Sequence, residues 1–307
     1  MTLGLDVLEE TRAVNVELGR FLSSQAPIHT FPPDVVRASR RLERGPFPAP
    51  VYLPQARWET ISGRGGEIRL RVLEPETETA GVYLHIHGGG WTLGAADLQD
   101  SLLWELVEAA GLTAVSVDYR LAPEHPWPAC ADDCEDAASW LLERGERMIA
   151  IGGESAGGHL SVVTLLRLRD RGVDVREAFA AANLVFGVFD LAGTPSRRRW
   201  GGRDPFLPSS AMDWFTDGLL RGTDLEARRD PAISPLYADL AGLPPALFTV
   251  GTRDPLLDDS LFMAARWSAA GNVAELRVWE EAVHGFTAFP TEAARRSRAE
   301  QYEFVRG

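Results

Sequence analysis

The sequence predicts an α/β fold in which helices cover both faces of a mostly parallel sheet. From residue 57 onward, short apolar runs alternate with stretches of helical periodicity, and glycine-rich turns follow several of the runs. Strands that alternate with helices form parallel sheets covered on both faces. With 45% hydrophobic and 24% charged residues among 307, the chain can bury a large core.

The first 56 residues differ in pattern from the rest. Apolar residues between Leu5 and Leu22 recur at helical spacing, and seven prolines then interrupt residues 27–56, apart from one short helix near 34–44. An amphipathic helix outside the main pattern is a candidate lid. We therefore expect cap helices and an arm over 1–56, and the main α/β domain over 57–307.

Each element of the main domain follows from its local pattern. Two alternating runs around a Ser-Gly-Arg-Gly-Gly turn predict an antiparallel hairpin, continuous apolar runs predict buried strands, and apolar spacing of three to four residues predicts helices. The predicted strands are 58–61, 67–73, 82–86, 113–117, 147–151, 179–188, 246–250 and 274–279, and the predicted helices are 97–110, 129–143, 156–170, 209–220, 260–270 and 291–305. Asp97 is the expected N-cap of the first of these helices.

Residues 190–239 break this alternation. They are rich in proline, glycine, arginine and tryptophan, and they contain the predicted helix 209–220. A segment of this length is too long for a simple crossover between two strands. We expect a second cap element, inserted at about 190–235, that folds over the carboxyl ends of the strands beside the N-terminal helix.

Composition and charge exclude several classes of protein. The formal net charge of −13 argues against nucleic-acid and anionic-membrane partners, because both reward clustered basic charge. The sequence contains no apolar stretch of about 18 residues, so it predicts no transmembrane helix. Residues 1–19 are acidic and lack the basic and apolar regions of a secretory signal, so we expect a cytoplasmic protein. The sequence leaves a homodimer open.

The chain has no lysine, since all 31 basic residues are arginine. This excludes chemistry that needs a side-chain amine, including Schiff bases, P-loop lysines and serine hydrolases with a lysine base. Cys130 and Cys134 lie four residues apart in a predicted helix, where a disulfide is barely feasible, so two partly buried free thiols are expected. No run of His or Cys supplies a zinc site, so no metal is expected.

The sequence Gly-Glu-Ser-Ala-Gly at 153–157 follows an apolar strand and opens a helix. A serine on such a sharp turn needs small neighbours, because its strained backbone brings the flanking positions close to other atoms. The hydroxyl of Ser155 would then stand above the sheet, and the helix N-terminus would favour a developing negative charge. Spacing alone is weak support, and the strand–turn–helix context strengthens it.

Three consecutive glycines follow His87, directly after the predicted strand 82–86. Glycines let backbone N–H groups point toward one position without interference from a Cβ atom. A phosphate-binding nest is the rival interpretation, but no adjoining basic residue or helix N-terminus supports it. His87, and likewise His85, is expected to have a structural hydrogen-bonding role.

A nucleophilic serine needs a base, which histidine most readily provides in a chain without lysine. Of the six histidines, His284 lies on a glycine-containing loop after the last predicted strand, and Asp254 follows the strand before it. The order Ser155, Asp254, His284 is that of α/β hydrolases rather than of chymotrypsin or subtilisin. Asp258 and Asp259 are competing carboxylates, expected instead to cap the following helix.

Taken together, these motifs resemble the hormone-sensitive-lipase-like family of α/β hydrolases, which includes the bacterial family IV carboxylesterases. The resemblance spans about residues 57–305 and rests on HGGGW at 87–91, DYRLAPEHPWPA at 118–129, GESAG at 153–157, DPLLD at 254–258 and HGF at 284–286. It implies that the N–H groups of Gly89, Gly90 and Ala156 receive the oxyanion, with Gly88 supporting the loop. Glu154 is a departure, because many members have aspartate there.

The resemblance implies a serine carboxylesterase that acts on small to medium acyl esters through an acyl-enzyme, with no metal or organic cofactor. An amidase, lactonase or deacetylase of the same fold is an alternative, and a non-catalytic small-molecule binder is a more distant one. Such binders typically lose the histidine that is present here.

Three further features each allow two interpretations. Trp91, Trp214 and Phe215 are candidates for lining the substrate pocket, with simple packing as the alternative. The arginines at 197–199 and Arg203 are expected to form a solvated face, although they would also suit an anionic substrate. Glu124 either accepts a hydrogen bond that organises the site or lies at the surface.

Overall fold

The computed structural model describes residues 4–42, 45–146, 149–201 and 206–307. Within these ranges, eight strands form one sheet in the order β1-β2-β4-β3-β5-β6-β7-β8. The strands are β1 (Arg57–Gly63), β2 (Gly66–Leu73), β3 (Val82–Ile86), β4 (Thr113–Asp118), β5 (Ile149–Glu154), β6 (Phe179–Val185), β7 (Ala246–Arg253) and β8 (Ala274–Val283).

The sheet is mostly parallel, as predicted. The hairpin β1–β2 and the pair β2–β4 are antiparallel, and every pairing from β4 through β3 and β5 to β8 is parallel. The carboxyl ends of β3, β5, β7 and β8 therefore lie at one edge of the sheet, where loops of α/β proteins carry ligand sites.

Helices cover both faces of the sheet. They are α1 (Leu5–Ser23), α2 (Pro33–Arg41), α3 (Asp100–Ala110), α4 (Ala129–Glu143), α5 (Ala156–Asp170), α6 (Val175–Ala178), α7 (Pro195–Trp200), α8 (Ser209–Leu220), α9 (Leu257–Ala269) and α10 (Glu292–Arg306). Helices α4, α5 and α9 pack on one face, whereas α3 and α10 pack on the other. This covering of both faces is the predicted α/β arrangement.

The strands show why a doubly covered sheet needs continuous apolar runs. In β3, Val82, Leu84 and Ile86 belong to the core beneath α4, α5 and α9, whereas Tyr83 belongs to the core beneath α3 and α10. All are buried. Successive side chains of a strand point to opposite faces, so both sets are mostly apolar.

Some predicted boundaries are wrong for identifiable reasons. Asp97 does not cap a helix: it lies in a 3₁₀ turn (Ala96–Gln99), it pairs with Arg41 at 3.0 Å, and α3 begins at Asp100. The strand predicted at 179–188 ends at Val185, because Phe186 has a positive φ of 36°. Helix α9 begins three residues earlier than predicted, at Leu257, and the predicted start of β5 at residue 147 lies outside the described residues.

The segments at 1–56 and 190–235 both approach the carboxyl edge of the sheet. Helix α1 packs on α10 and β8, and a 3₁₀ turn at Ile28–Thr30 contacts α8. Helices α7 and α8 lie in the connection from β6 to β7. The described parts of both segments line the same large cavity.

The cysteines are free and buried, as expected from their spacing. Burial raises the pKa of the Cys130 thiol to about 12. In the described part of the chain, no helix is long and apolar enough to cross a bilayer.

Candidate active site

Ser155 occupies a strained turn between β5 and α5. Its backbone has φ of 57° and ψ of −114°, which is unusual for a residue with a Cβ atom. The flanking glycines are required by close packing, since a Cβ at Gly153 or Gly157 would overlap the carbonyl oxygen of Ile86 in the neighbouring strand. The small residues of the motif therefore permit a turn that lifts the serine hydroxyl above the sheet.

Ser155, Asp254 and His284 are brought together by three different strand ends. The Ser155 Oγ lies 3.0 Å from the His284 Nε2, and the His284 Nδ1 lies 2.9 Å from the Asp254 Oδ2. The other carboxylate oxygen of Asp254 accepts a hydrogen bond from the Leu256 amide at 2.8 Å. Because a carboxylate only accepts, the Nδ1 atom donates and the Nε2 atom is left to accept a hydrogen bond from the Ser155 hydroxyl.

The loop after β3 lies beside Ser155 because β3 and β5 are adjacent parallel strands. Gly89 and Gly90 have φ values of 118° and 59°, and a Cβ at Gly90 would overlap the ring of Phe215. Among the described residues, the amides of Gly89 and Gly90 donate to no protein acceptor. Ala156 begins α5, and its N–H belongs to the first helical turn, where no intrahelical acceptor exists. Three donors thus lie around the serine turn.

His87 stabilises the start of the glycine loop through a hydrogen bond and a ring contact. Its Nδ1–H donates to the Gly88 carbonyl at 2.8 Å, and its ring stacks on Tyr119 with 4.1 Å between centroids. Burial lowers the pKa of His87 to about 4, so the ring is neutral near pH 7. Tyr119 was not singled out from the sequence, although it lies inside the 118–129 motif.

Glu154 belongs to a polar network next to the serine. It accepts hydrogen bonds from the His85 Nε2 at 3.3 Å and from Gln99 at 3.1 Å. The His85 Nδ1 then accepts from the Ser116 hydroxyl at 2.8 Å. His85 therefore has hydrogen-bond partners on both ring nitrogens, and the longer side chain of glutamate still reaches it.

A cavity of about 1600 Å³ opens over Ser155 and His284. Trp91 and Phe215 are on its wall, as is Phe186, whose ring lies 4.8 Å from that of His284. Trp214 is not on the cavity wall and instead packs on Phe215 at 5.0 Å. Trp91 also donates its indole N–H to the His159 Nδ1 at 3.1 Å. Two of the three candidate aromatics, Trp91 and Phe215, thus line the cavity, and Trp214 does not.

One expectation about charged residues is wrong, and one open alternative is resolved. Arg198 and Arg199 are exposed as predicted, but Arg197 is buried and lies on the cavity wall, because α7 turns that side chain toward α8. Arg203 lies outside the described residues. Glu124 is exposed and forms an ion pair with Arg37 at 2.9 Å. No periodicity marked Arg197, since adjacent arginines give no indication of which one points inward.

Asp258 and Asp259 do not cap α9 but lie within its first turn. Asp259 accepts hydrogen bonds from the amides of Phe189 and Asp190 and from the Thr194 hydroxyl, and Asp258 accepts from the Ser196 amide. Both carboxylates therefore fix the start of the 190–235 insertion. In the ranges described, no cluster of three His, Cys, Asp or Glu side chains could hold a metal ion.

Comparison with known proteins places the chain in a family. Residues 83–288, more than half of the chain, match the α/β-hydrolase fold family. LipN, a carboxylic ester hydrolase of Mycobacterium tuberculosis, is 35% identical over 249 residues, which cover 74% of this chain and 63% of LipN. The chain thus matches less than two thirds of the length of LipN. The carboxylesterase NlhH of the same organism is 34% identical over 275 residues, covering 83% of this chain and 82% of NlhH.

A solved structure agrees with these matches. A hyperthermophilic esterase from the archaeon Pyrobaculum calidifontis superposes with a TM-score of 0.86 and 29% identity, covering 100% of this chain and 98% of that one. The fold and the family expected from the motifs are confirmed. The chain therefore belongs to the α/β-hydrolase fold family, and within it to the hormone-sensitive-lipase-like ester hydrolases.

Proposed function

We propose that this ester hydrolase cleaves small to medium acyl esters through an acyl-enzyme formed on Ser155. The observation that carries the proposal is the continuous chain of hydrogen-bonding distances from the Ser155 hydroxyl through the His284 imidazole to the Asp254 carboxylate, at 3.0 and 2.9 Å. This arrangement suits a serine activated by histidine and a histidine oriented by a carboxylate.

In the first step, the Ser155 oxygen attacks the ester carbonyl while His284 takes the hydroxyl proton. The Asp254 carboxylate holds the imidazole in the required tautomer and stabilises the imidazolium that forms. The tetrahedral intermediate then expels the alcohol, which receives the proton from His284. The products of this half-reaction are the free alcohol and an ester of Ser155.

The N–H groups of Gly89, Gly90 and Ala156 would receive the negative charge on the carbonyl oxygen. Support comes from the unpaired amides of the two glycines and from the position of Ala156 at the start of α5. Removing one such donor typically costs about 10²- to 10³-fold in rate.

In the second step, His284 removes a proton from water, which attacks the acyl-enzyme. Collapse of this second intermediate releases the carboxylic acid and returns the proton to Ser155. No step requires a group that the chain's own side chains and water do not supply.

We also propose that residues 1–56 and 190–235 act as caps that limit substrate size. Phe215 of α8 lies against the glycine loop at Gly90, and Arg37 of α2 donates to the Thr92 and Ala122 carbonyls at 2.7 Å. Phe215 and Phe186 occupy space beside Gly90 and His284, and we expect them to favour short acyl chains over long ones.

The partner we propose is a small-molecule ester rather than nucleic acid. A cytoplasmic location is consistent with two free, buried thiols, since reducing compartments keep cysteines unpaired. A homodimer would be consistent with exposed apolar side chains on α1, including Leu5 and Val16, and light scattering tests it.

A panel of nitrophenyl esters from acetyl to lauryl, with a lactone and an anilide in parallel, tests this function. We expect turnover of the shorter esters that falls with acyl length, and none by the Ser155→Ala variant. Hydrolysis of the lactone or anilide in preference to every ester would reject the ester assignment. Equal turnover of all acyl lengths would reject the size limit.

A further inference from the structure

Arg197 is a buried guanidinium on the wall of the substrate cavity. Arg197 is only 7% exposed, although the two arginines that follow it, Arg198 and Arg199, are exposed. Burying a cation is costly unless partners compensate. The hydrogen bonds that Arg197 makes therefore decide whether it is purely structural.

Although the buried Asp259 carboxylate interacts with its charge, Arg197 makes few direct hydrogen bonds. Its Nη2 donates to the Thr216 hydroxyl at 3.1 Å and contacts an Asp213 carboxylate oxygen at 3.4 Å. The Asp213 side chain is 64% exposed, so that carboxylate is mostly hydrated. Within the described chain, the Nε and Nη1 atoms donate to no protein acceptor, and neither is fully enclosed. Arg197 thus keeps unused donors.

Other arginines on the cavity wall differ from Arg197 in their pairing. Arg37, Arg41 and Arg69 each form an ion pair with a carboxylate, at 2.9, 3.0 and 2.5 Å. Arg40 is less buried, donates to the Pro48 carbonyl at 2.8 Å and lies over the Phe47 ring. Among these cations, Arg197 is the most buried and is the one with a long contact to a hydrated carboxylate.

Arg197 lines the same cavity as Ser155 and His284, and two of its neighbours contact the loops beside them. On one side, its partner Thr216 follows Phe215, which packs against the glycine loop at Gly90. On the other side, the preceding residue Ser196 donates to the Pro255 carbonyl, directly after Asp254. The neighbours of Arg197 in sequence and in space thus contact both the glycine loop and the loop after β7.

We propose that Arg197 binds a carboxylate carried by the substrate, so that esters with a free carboxylate are the preferred substrate class. This inference rests on the proposed ester hydrolysis at Ser155. A carboxylate would accept charge-assisted hydrogen bonds from the unused donors, and such bonds are stronger inside a largely apolar cavity than in water. Because the protein has a net charge of −13, it repels an anionic substrate overall, so binding such a substrate requires a local cation.

The test compares pairs of esters that are similar in size, one member carrying a carboxylate and the other neutral. Ethyl hydrogen adipate against ethyl heptanoate places the carboxylate in the acyl part, and 4-acetoxybenzoate against its methyl ester places it in the alcohol part. We expect the protein to prefer the anionic member of at least one pair. The variant Arg197→Gln should lower the anionic-to-neutral ratio of kcat/KM by about 10- to 100-fold, as expected for hydrogen bonds to a charged group.

Matched variants separate recognition from packing. Arg199→Gln makes the same change of charge at an exposed position of α7 and should leave the ratio unaltered. Arg197→Lys keeps the charge and should retain part of the preference. An equal fall in kcat/KM for both members of each pair in Arg197→Gln would show that Arg197 does not recognise the carboxylate. Loss of the preference in Arg40→Gln rather than in Arg197→Gln would assign the recognition to Arg40 instead.

The inactive Ser155→Ala variant allows substrate binding to be measured without hydrolysis. Calorimetry should detect ethyl hydrogen adipate or 4-acetoxybenzoate bound more tightly than its neutral partner, and the added Arg197→Gln change should abolish the difference. Arg197-dependent binding without turnover by the unmodified chain would reject the proposed hydrolysis but retain the site. Turnover of neutral esters without any Arg197-dependent preference would reject the site but retain the hydrolysis.

Discussion

The Tyr119 hydroxyl donates a 2.9 Å hydrogen bond to the His87 carbonyl, and the two rings stack 4.1 Å apart. Both residues are buried. The carbonyl of His87 is the last acceptor before the three glycines, so this bond fixes the point from which the glycine loop departs. The geometry of the glycine loop therefore depends on Tyr119, which directly follows β4, the strand next to β3.

Replacing Tyr119 by phenylalanine should destabilise the fold by about 1–3 kcal/mol, because a buried carbonyl loses its donor. We expect a lower kcat as well, because the start of the glycine loop, and so the position of its amides, would no longer be fixed by this hydrogen bond. Urea unfolding and steady-state kinetics measure the two effects. Tyr52→Phe, at an exposed position, should change stability by less than about 0.5 kcal/mol. Unchanged stability in Tyr119→Phe would contradict the role given to this bond.

Replacing Asp254 by asparagine should lower kcat by about 10⁴-fold while the protein stays folded. An amide can donate to the His284 Nδ1 and so stabilise the wrong tautomer. Asp258→Asn is the matched control, because Asp258 bonds the Ser196 amide rather than the imidazole. An active Asp254→Asn variant beside an inactive Asp258→Asn variant would show that the wrong carboxylate had been assigned.

Acid should destabilise the protein through His159, which is buried within α5. Its Nε2–H donates to the Ile233 carbonyl at 2.8 Å, and its Nδ1 accepts from Trp91, so a second proton has no place to bind. Burial lowers the pKa of His159 to about 4, below the ordinary 6.5. The unfolded chain therefore binds the proton more readily, and this stabilisation is complete above pH 6.5 and lost as the pH falls toward 4.

The loss through His159 should amount to about 3 kcal/mol across that window. The variant His159→Gln should flatten the fall in unfolding free energy between pH 7 and 4, whereas His125→Gln, at an exposed position, should not. Chemical unfolding across this range measures the slope. An equally steep slope in His159→Gln would assign the acid sensitivity to other groups.

Glycine 153 should tolerate no side chain, because a Cβ there would overlap the Ile86 carbonyl oxygen. We expect Gly153→Ala to cost about 1–3 kcal/mol of stability and to displace the serine turn, with a large loss of activity. In contrast, Gly19 lies in α1 with open space around its Cα, and Gly19→Ala should stabilise the helix by about 0.5–1 kcal/mol. Equal effects of the two substitutions would contradict this difference.

The sequence was sufficient to predict the order of elements and the residues that meet at the serine. Strand ends and glycine-rich turns carry local patterns, and the alternation of strands and helices brings those turns to one edge. Ser155, Asp254 and His284 could therefore be grouped before any distance was known. Their catalytic roles remain predictions that the kinetics above would test.

Other features depend on packing that no local pattern encodes. Arg197 is buried and Arg199 is exposed, although both belong to one run of arginines. Asp259 accepts hydrogen bonds from residues about 70 positions away, where the sequence predicted only a helix cap. Such pairings arise when the 190–235 insertion folds back onto α9, and a single sequence does not specify them.

Covalent labelling by a fluorophosphonate, followed by peptide mapping, tests most directly whether Ser155 is a nucleophile activated by His284. One label per chain on Ser155 is expected, none in Ser155→Ala, and labelling slowed by at least about 10³-fold in His284→Ala, as expected when a triad member is removed. A label on another residue, or a labelling rate that does not change without His284, would contradict the proposed chemistry.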